Sequence, residues 1–385
     1  MGDPSELSDF LTELSDALGR RLFVLDDRFR VVAYTFHQSE EERSRLSFVL
    51  AHSDNWYPLL NRVGDLHIST VPNLGVRVLV ALHSEGRLVG YVLLILSDDE
   101  VMPPRELDLI KERAPRLALT LAAQIRHEEG VQARAKLLLQ DLLGEDGRRR
   151  AAAAEALLHE RLVGRASQYC AMVLAAPPNA DSALSSLAAR AAEVVLDYIR
   201  RFSTASVVGA GLDEGVGVLI FLRRVVRGRA ERILDRADLR AVRVGIGPMV
   251  EGLHEVHRSY NRALDAWRVA CMGAAGPAAA YWDDLGIDKI LLRLPLDEIT
   301  LEDLPAGLQR LLSSNLGEVF VHTLDSYLRM GGDAQQTARV LNIHRSTLYY
   351  RLGRIREVTE SDLTDGLTRR ELHTGLRVAE LAGLL

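Results

Sequence analysis

Between Ala334 and Arg356 the chain carries five arginines (Arg339, Arg345, Arg351, Arg354 and Arg356) and no acidic residue. His344, Ser346, Thr347, Tyr349 and Tyr350 stand among them. The whole chain has a net charge of −6, so this window is a local inversion. Guanidinium and hydroxyl groups at such density suit phosphate oxygens, which supply most of the non-specific affinity for a duplex and fix its register. Leu348, Leu352 and Ile355 recur at i, i+4 and i+7 and, with Ala338, Leu341 and Ile343, form an internal core. That leaves His344, Arg345, Ser346, Tyr349, Tyr350 and Arg354 facing outward. An arginine at the start of such a helix is placed to read a guanine edge in the major groove. Double-stranded DNA is therefore the expected partner. Arg345 is the candidate base reader, Thr347, Tyr349 and Tyr350 offer hydroxyls to phosphates, and Arg351 and Arg354 add charge. An arginine-rich solvated helix is the competing reading, and the missing acids weigh against it.

Other groups carry weaker chemistry. Asp213 and Glu214 pair two carboxylates inside Gly209–Gly215, a metal-site possibility that a hairpin turn explains as well. Tyr34, His37, His52, Trp56 and Tyr57 could line a small-molecule pocket, although lone histidines and tryptophans are often core or surface residues. Two cysteines, Cys170 and Cys271, sit beside apolar residues and build neither a disulfide framework nor a metal site. No metal or cofactor is expected. With 48% hydrophobic and 26% charged residues, and every apolar run short or interrupted, the balance is that of a soluble protein with no membrane span. The acidic start MGDPSELSDF lacks an export pattern, so the expected compartment is the cytoplasm. Lysine occurs only at Lys111, Lys136 and Lys289, so clusters of arginine mean more here than single ones.

The elements that must position these residues fall into an α+β multidomain arrangement. Residues 1–127 read as a helix (6–18), strands at 21–26 and 30–35, a helix at 40–60, strands at 66–70, 76–83 and 87–96, and a helix at 105–126. Residues 128–162 read as a helical connector, with helices at 132–143 and 148–161. Residues 163–285 interleave strands (169–174, 205–208, 216–222, 242–246, 278–282) with helices (182–201, 228–235, 250–271), a sheet backed by helices. Residues 305–385 are all helical. A helix at 316–330 stops at Gly331-Gly332, and Asp333 caps a short helix at 334–341. Asn342-Ile343 turns into a helix from 344 to about 359, and a last helix runs from 365 to 384. Two helices joined so briefly form a helix-turn-helix.

The stretch DAQQTARVLNIHRSTLYYRLGRI, Asp333–Ile355, resembles the C-terminal helix-turn-helix of PucR-type transcriptional regulators, itself similar to the Fis-type fold. Ala338, Leu341, Ile343-His344-Arg345, Thr347-Leu348, Tyr350-Arg351-Leu352 and Ile355 carry the likeness, over about residues 316–381. It implies that Arg345 reads a base while His344, Thr347 and Tyr350 meet the backbone. Val242–Pro248, Ser259-Tyr260 and Ala263–Ala266 resemble the degenerate GGDEF-like domain of such regulators. In active diguanylate cyclases the equivalent loop binds nucleotide phosphate and metal. Here it reads Gly-Ala-Gly-Leu-Asp-Glu-Gly, with Leu212 in place of the second glycine and Gly215 in place of the aromatic. The resemblance thus implies a sequence-specific regulator and no enzyme. Residues 24–26 and 31–34 make the front domain similar to a GAF or PAS sensor, which would bind an effector or only dimerise. A homodimer or higher homo-oligomer is expected. A nucleotide cyclase using Asp213 and Glu214, and a protein scaffold using the helical end, stay open as alternatives.

Overall fold

The computed structural model describes residues 4–35 except 28 and 30, 65–97 except 72–74, 100–178, 207–212, 215–228, 242–272 and 278–385, with isolated positions between 180 and 199 and at 230, 231 and 239. The expected helices at 40–60, 182–201 and 228–235 lie wholly or largely outside the described residues, although 191–196 are helical. Two compact units result, 1–134 and 135–385.

The first unit opens with α1 (Pro4–Leu18), then β1 (Phe23–Asp26), β2 (Val31–Tyr34), β3 (Leu66–Val71), β4 (Gly75–Ser84) and β5 (Arg87–Leu96). They form a five-stranded antiparallel sheet of order β2-β1-β5-β4-β3. The β4–β5 hairpin turns on Glu85 (φ 53°) and Gly86 (φ 76°), the two positive dihedrals of a type I′ turn. Strand alternation separates two faces: Val24, Val80, Val92 and Leu94 pack with Leu7, Leu11 and Leu121, whereas Leu25, Leu79, Tyr91 and Leu93 form a second cluster.

Helix α2 (Pro104–Leu143) is one element where two consecutive helical patterns were expected. Its apolar stripe is interrupted rather than its backbone: 126–130 are all exposed, while Ile110, Leu117 and Leu121 serve the first unit and Leu138, Leu139 and Leu142 the second.

The second unit continues with α3 (Gly147–His159), capped by Asp146, whose carboxylate accepts from the amides of Arg148 and Arg149. Then come β6 (Gln168–Ala175), β7 (Val207–Gly211), β8 (Val216–Phe221), β9 (Arg243–Ile246), β10 (Val250–Glu251), α4 (Val256–Ala270) and β11 (Ala279–Tyr281). The sheet order is β11-β9-β6-β8-β7, parallel at β11–β9 and antiparallel at the other described pairings, with β10 pairing β6. Cys170, Met172 and Leu174 face one core, and Tyr169 and Ala171 the other. That second face is covered by the end of α2 and by α3 through Leu139, Leu142, Ala153 and Leu157, so residues expected to form a connector cap this sheet.

The expected continuous helix at 250–271 is corrected: Val250 pairs with Tyr169, and Gly252 (φ 78°) turns the chain before α4 begins at Val256. Gly245 and Gly247 bring β9 against α4. A Cβ on Gly245 would lie 1.9 Å from the carbonyl oxygen of Ala263, and one on Gly247 2.0 Å from that of Ser259. Buried Ser259 pins the same seam, accepting from the Ala171 amide (2.9 Å) and donating to the Pro248 carbonyl (2.7 Å). The Val242–Pro248 motif is thus a packing seam.

After β11 a linker carries α5 (Asp288–Leu291) to a helical domain of α6 (Ala306–Leu312), α7 (Glu318–Arg329), α8 (Ala334–Val340), α9 (Arg345–Thr359) and α10 (Gly366–Leu381). Leu308, Leu311, Leu324, Leu348, Leu352, Ile355, Leu372 and Leu376 form its core. The linker is tied to the domain by Arg377, which donates to both carboxylate oxygens of buried Asp288 (3.0 and 2.6 Å).

Candidate nucleic-acid interface

The turn before α8 is built by backbone geometry. Gly331 (φ 65°) and Gly332 (φ 89°) end α7, their amides donating to the carbonyls of Leu328 and Tyr327. Asp333 then caps α8, its Oδ1 accepting from the amides of Gln335 (2.7 Å) and Gln336 (3.0 Å). Between α8 and α9 Asn342 takes a left-handed conformation (φ 52°), and the Ile343 amide donates to Ala338. Asn tolerates that region better than most residues.

His344 is the N-cap of α9 rather than its first helical residue. Its Nδ1 accepts from the Ser346 amide (3.3 Å) and lies 2.7 Å from the Ser346 hydroxyl. An accepting Nδ1 puts the proton on Nε2, leaving that N–H for an external acceptor. Leu348, Leu352, Ile355 and Thr359 form the buried stripe of α9, and Arg345, Ser346, Thr347, Tyr349, Tyr350, Arg354 and Arg356 are exposed. Tyr349 is 58% and Tyr350 65% exposed, so two large aromatic side chains are kept in solvent beside a cationic helix start.

Arg351 differs from the others of its set. It is half-buried and donates to the Thr323 hydroxyl of α7 (3.2 Å), bracing α9 against its neighbour. Arg354 pairs with Glu357, the first acid beyond the acid-free window. Arg339, Gln335 and Gln336 are not among the site residues expected from the sequence. All three are exposed on α8, next to the reading helix, and Arg339 lay in the counted cluster. Arg310 of α6 was also missed; it donates to the carbonyls of Val358 and Thr359 and closes the C-terminal end of α9.

In the first unit, Tyr34 is 36% exposed at the end of β2, its ring stacked near Phe23. His37, His52, Trp56 and Tyr57 lie outside the described residues, as do Asp213 and Glu214. Leu212, beside that carboxylate pair, packs on the core under the β7–β8 hairpin, and its amide donates to Val216 (2.7 Å). Burial pushes the Cys170 thiol up to about 12, and that of Cys271 likewise to about 12.

Comparison with known proteins places this geometry. Residues 320–378 match the PucR C-terminal helix-turn-helix domain, and residues 122–269 match the GGDEF-like domain. The chain therefore carries a PucR-type helix-turn-helix behind a GGDEF-like domain. It is similar to the purine catabolism regulatory protein of Bacillus subtilis (26% identity, 37% of this chain and 27% of the relative). It is also similar to the carbohydrate diacid regulator of Escherichia coli (30% identity, 40% of each chain). Uncharacterized proteins of Mycobacterium tuberculosis and Mycobacterium bovis match at 31% identity over 37% of this chain and 32% of theirs. The chain thus spans about a third of the length of these relatives. A solved regulator of polyketide synthase expression from Bifidobacterium adolescentis aligns over 64% of this chain and 97% of its own, at 21% identity and a TM-score of 0.29. Among the described residues, no helix is long and apolar enough to cross a membrane.

Proposed function

We propose that this chain is a sequence-specific transcriptional regulator of the cytoplasm that binds operator DNA through α8 and α9. The observation that carries the reading is the two-sided build of α9. One stripe is locked into the helical core, and the other holds Arg345, Ser346, Thr347, Tyr349, Tyr350 and Arg354 in solvent. Arg345 at the first helical position reads a base. His344, Thr347, Tyr349 and Tyr350 meet phosphates, Arg354 adds charge, and Arg351 combines a phosphate contact with its brace to Thr323. The chain acts as a homodimer or higher oligomer, since paired heads double the operator length that is read.

The antiparallel β2-β1-β5-β4-β3 sheet with flanking helices supports a GAF/PAS-like sensor or dimerisation role for residues 1–127. Control by a small molecule fits one relative named as a proline-responsive transcriptional activator. A regulator is favoured over a cyclase by Leu212, whose side chain is packed where close approach of backbone to a phosphate would need glycine. Selection from random duplex DNA with the full chain tests the proposal. One enriched motif, bound more weakly as salt rises, is the expected result. An unenriched pool would transfer the helical end to the scaffold reading, and turnover of GTP with magnesium would revive the cyclase.

A further inference from the structure

A cleft of about 890 Å³ opens at the joint between the GGDEF-like domain and the linker. One wall is β10 and the first turns of α4, with Glu251, Glu255, Arg258, Asn261 and Arg262. The other is the linker, with Trp282 and Arg293. Its volume lies within the ~300–1,000 Å³ range of small-molecule sites.

The charged groups are not equivalent. Arg262 is fixed from two sides: its Nη1 donates to Asp265 (2.9 Å) and its guanidinium lies 4.5 Å from the Trp282 ring centroid. A guanidinium held in this way loses little freedom when it engages a further acceptor, and among the described residues Asp265 is the one hydrogen-bond acceptor it meets. Arg293 is exposed and, among the described residues, makes no ion pair. Arg258, by contrast, is spent on Glu255 (3.1 Å), and that pairing holds the Glu255 carboxyl below the usual range. The cleft therefore offers an anion two cations, Arg262 on the α4 wall and Arg293 on the linker wall, with His257 also lining it, and it offers acceptors on Glu251 and Glu255 of the same wall as Arg262. Those two carboxylates repel a polyphosphate but accept from hydroxyl or amino groups.

We infer that this cleft binds a small organic acid bearing hydroxyl or amino donors, its carboxylate held by Arg262 and Arg293 and its donors by Glu251 and Glu255. The linker wall gives occupancy a path to the reading head. Trp282, Leu285, Leu292 and Leu296 share one apolar cluster with Val269 of α4 and Leu381 of α10. Asp288, five residues before Arg293, is the anchor for Arg377 of α10. A ligand that pulls Arg293 toward Arg262 therefore loads the segment that seats the helix-turn-helix. This transmission rests on the regulator reading, whereas the site itself does not.

Thermal unfolding of the full chain tests the site, using the common amino acids and lactate, malate and gluconate as probes at about 10 mM, with acetate and inorganic phosphate for comparison. At least one probe acid raises the midpoint saturably and more than acetate or phosphate does. Arg293→Gln, an exposed and unpaired position that leaves the fold intact, weakens that response roughly tenfold, as loss of a charge-assisted contact should. Arg262→Gln weakens it as well. No shift with any probe acid overturns the site, and so does a phosphate response of equal size or a response unchanged in Arg293→Gln. Fluorescence anisotropy with labelled random duplex, with and without the active probe, then reads the transmission. An unchanged DNA affinity overturns the transmission alone, and absent DNA binding counts against the regulator reading while leaving the site standing.

Discussion

Replacing Gly245 by alanine should unseat α4 from the sheet of the GGDEF-like domain. The new Cβ would lie 1.9 Å from the Ala263 oxygen, 2.4 Å from the Trp267 nitrogen and 2.9 Å from the Trp267 Cβ, against 3.4 Å or more for ordinary contact. Two of the three obstacles are helix backbone, which cannot swing aside as a side-chain tip can. The helix would have to retreat by roughly 1 to 1.5 Å, opening a seam that is close-packed elsewhere. That retreat also stretches the two hydrogen bonds of Ser259. Overpacking of this kind costs about 3 kcal/mol. For a unit of this size that is a fall in Tm of roughly 6 to 12 °C. Differential scanning calorimetry of the full chain measures it, with Gly353→Ala as the companion variant. Gly353 lies inside α9 with nothing near its missing Cβ, so alanine there should add up to about 1 kcal/mol of stability. Equal midpoints for Gly245→Ala and the parent chain would refute the packing explanation of the Val242–Pro248 motif.

Ser259→Ala leaves the Ala171 amide and the Pro248 carbonyl without this partner and should cost about 1 to 3 kcal/mol in denaturant unfolding; a neutral variant would mean that both groups find substitutes. Arg377→Ala leaves the Asp288 carboxylate buried and uncompensated, at a cost of about 3 kcal/mol that Asp288→Asn in the same background partly recovers; no recovery would show that packing rather than charge holds the linker. Burial raises the thiols of Cys170 and Cys271 and the phenol of Tyr281 to about 12, so the folded chain keeps these protons while the unfolded chain releases them above pH 9 to 10. Their contribution to stability is complete below pH 9 and is lost as pH rises towards 12. Native-state alkylation at pH 8 should accordingly leave buried Cys170 unmodified and label half-buried Cys271 more slowly than in the unfolded chain, and rapid labelling of Cys170 would contradict its placement.

The C-terminal domain was legible because its signals are local. Gly331-Gly332, Asp333 and Asn342 each announce a turn or cap within a few residues, and the Leu348–Leu352–Ile355 stripe orients α9 without reference to the rest of the chain. What escaped depends on partners distant in sequence. The bracing role of Arg351 needs Thr323, and the linker clamp joins Asp288 to Arg377 across 89 residues. The helix expected from Val250 failed because Gly252 and the Val250–Tyr169 pairing overrode a helical apolar pattern. The α2 and α3 stretch looked like a connector because its apolar stripe carries no mark of the sheet it covers. The glycines of Val242–Pro248 showed that the backbone approaches something closely, and only the fold identifies it as α4. Of the front pocket candidates, Tyr34 alone falls within the described residues.

The measurement that bears most directly on the central claim is binding of the full chain to the duplex enriched by selection, titrated with salt beside Arg345→Ala. Affinity should fall steeply with salt, and the variant should lose about 1 to 3 kcal/mol together with its preference at one base position. Undiminished affinity and unchanged base preference in Arg345→Ala would contradict the assignment of α9 as the reading helix.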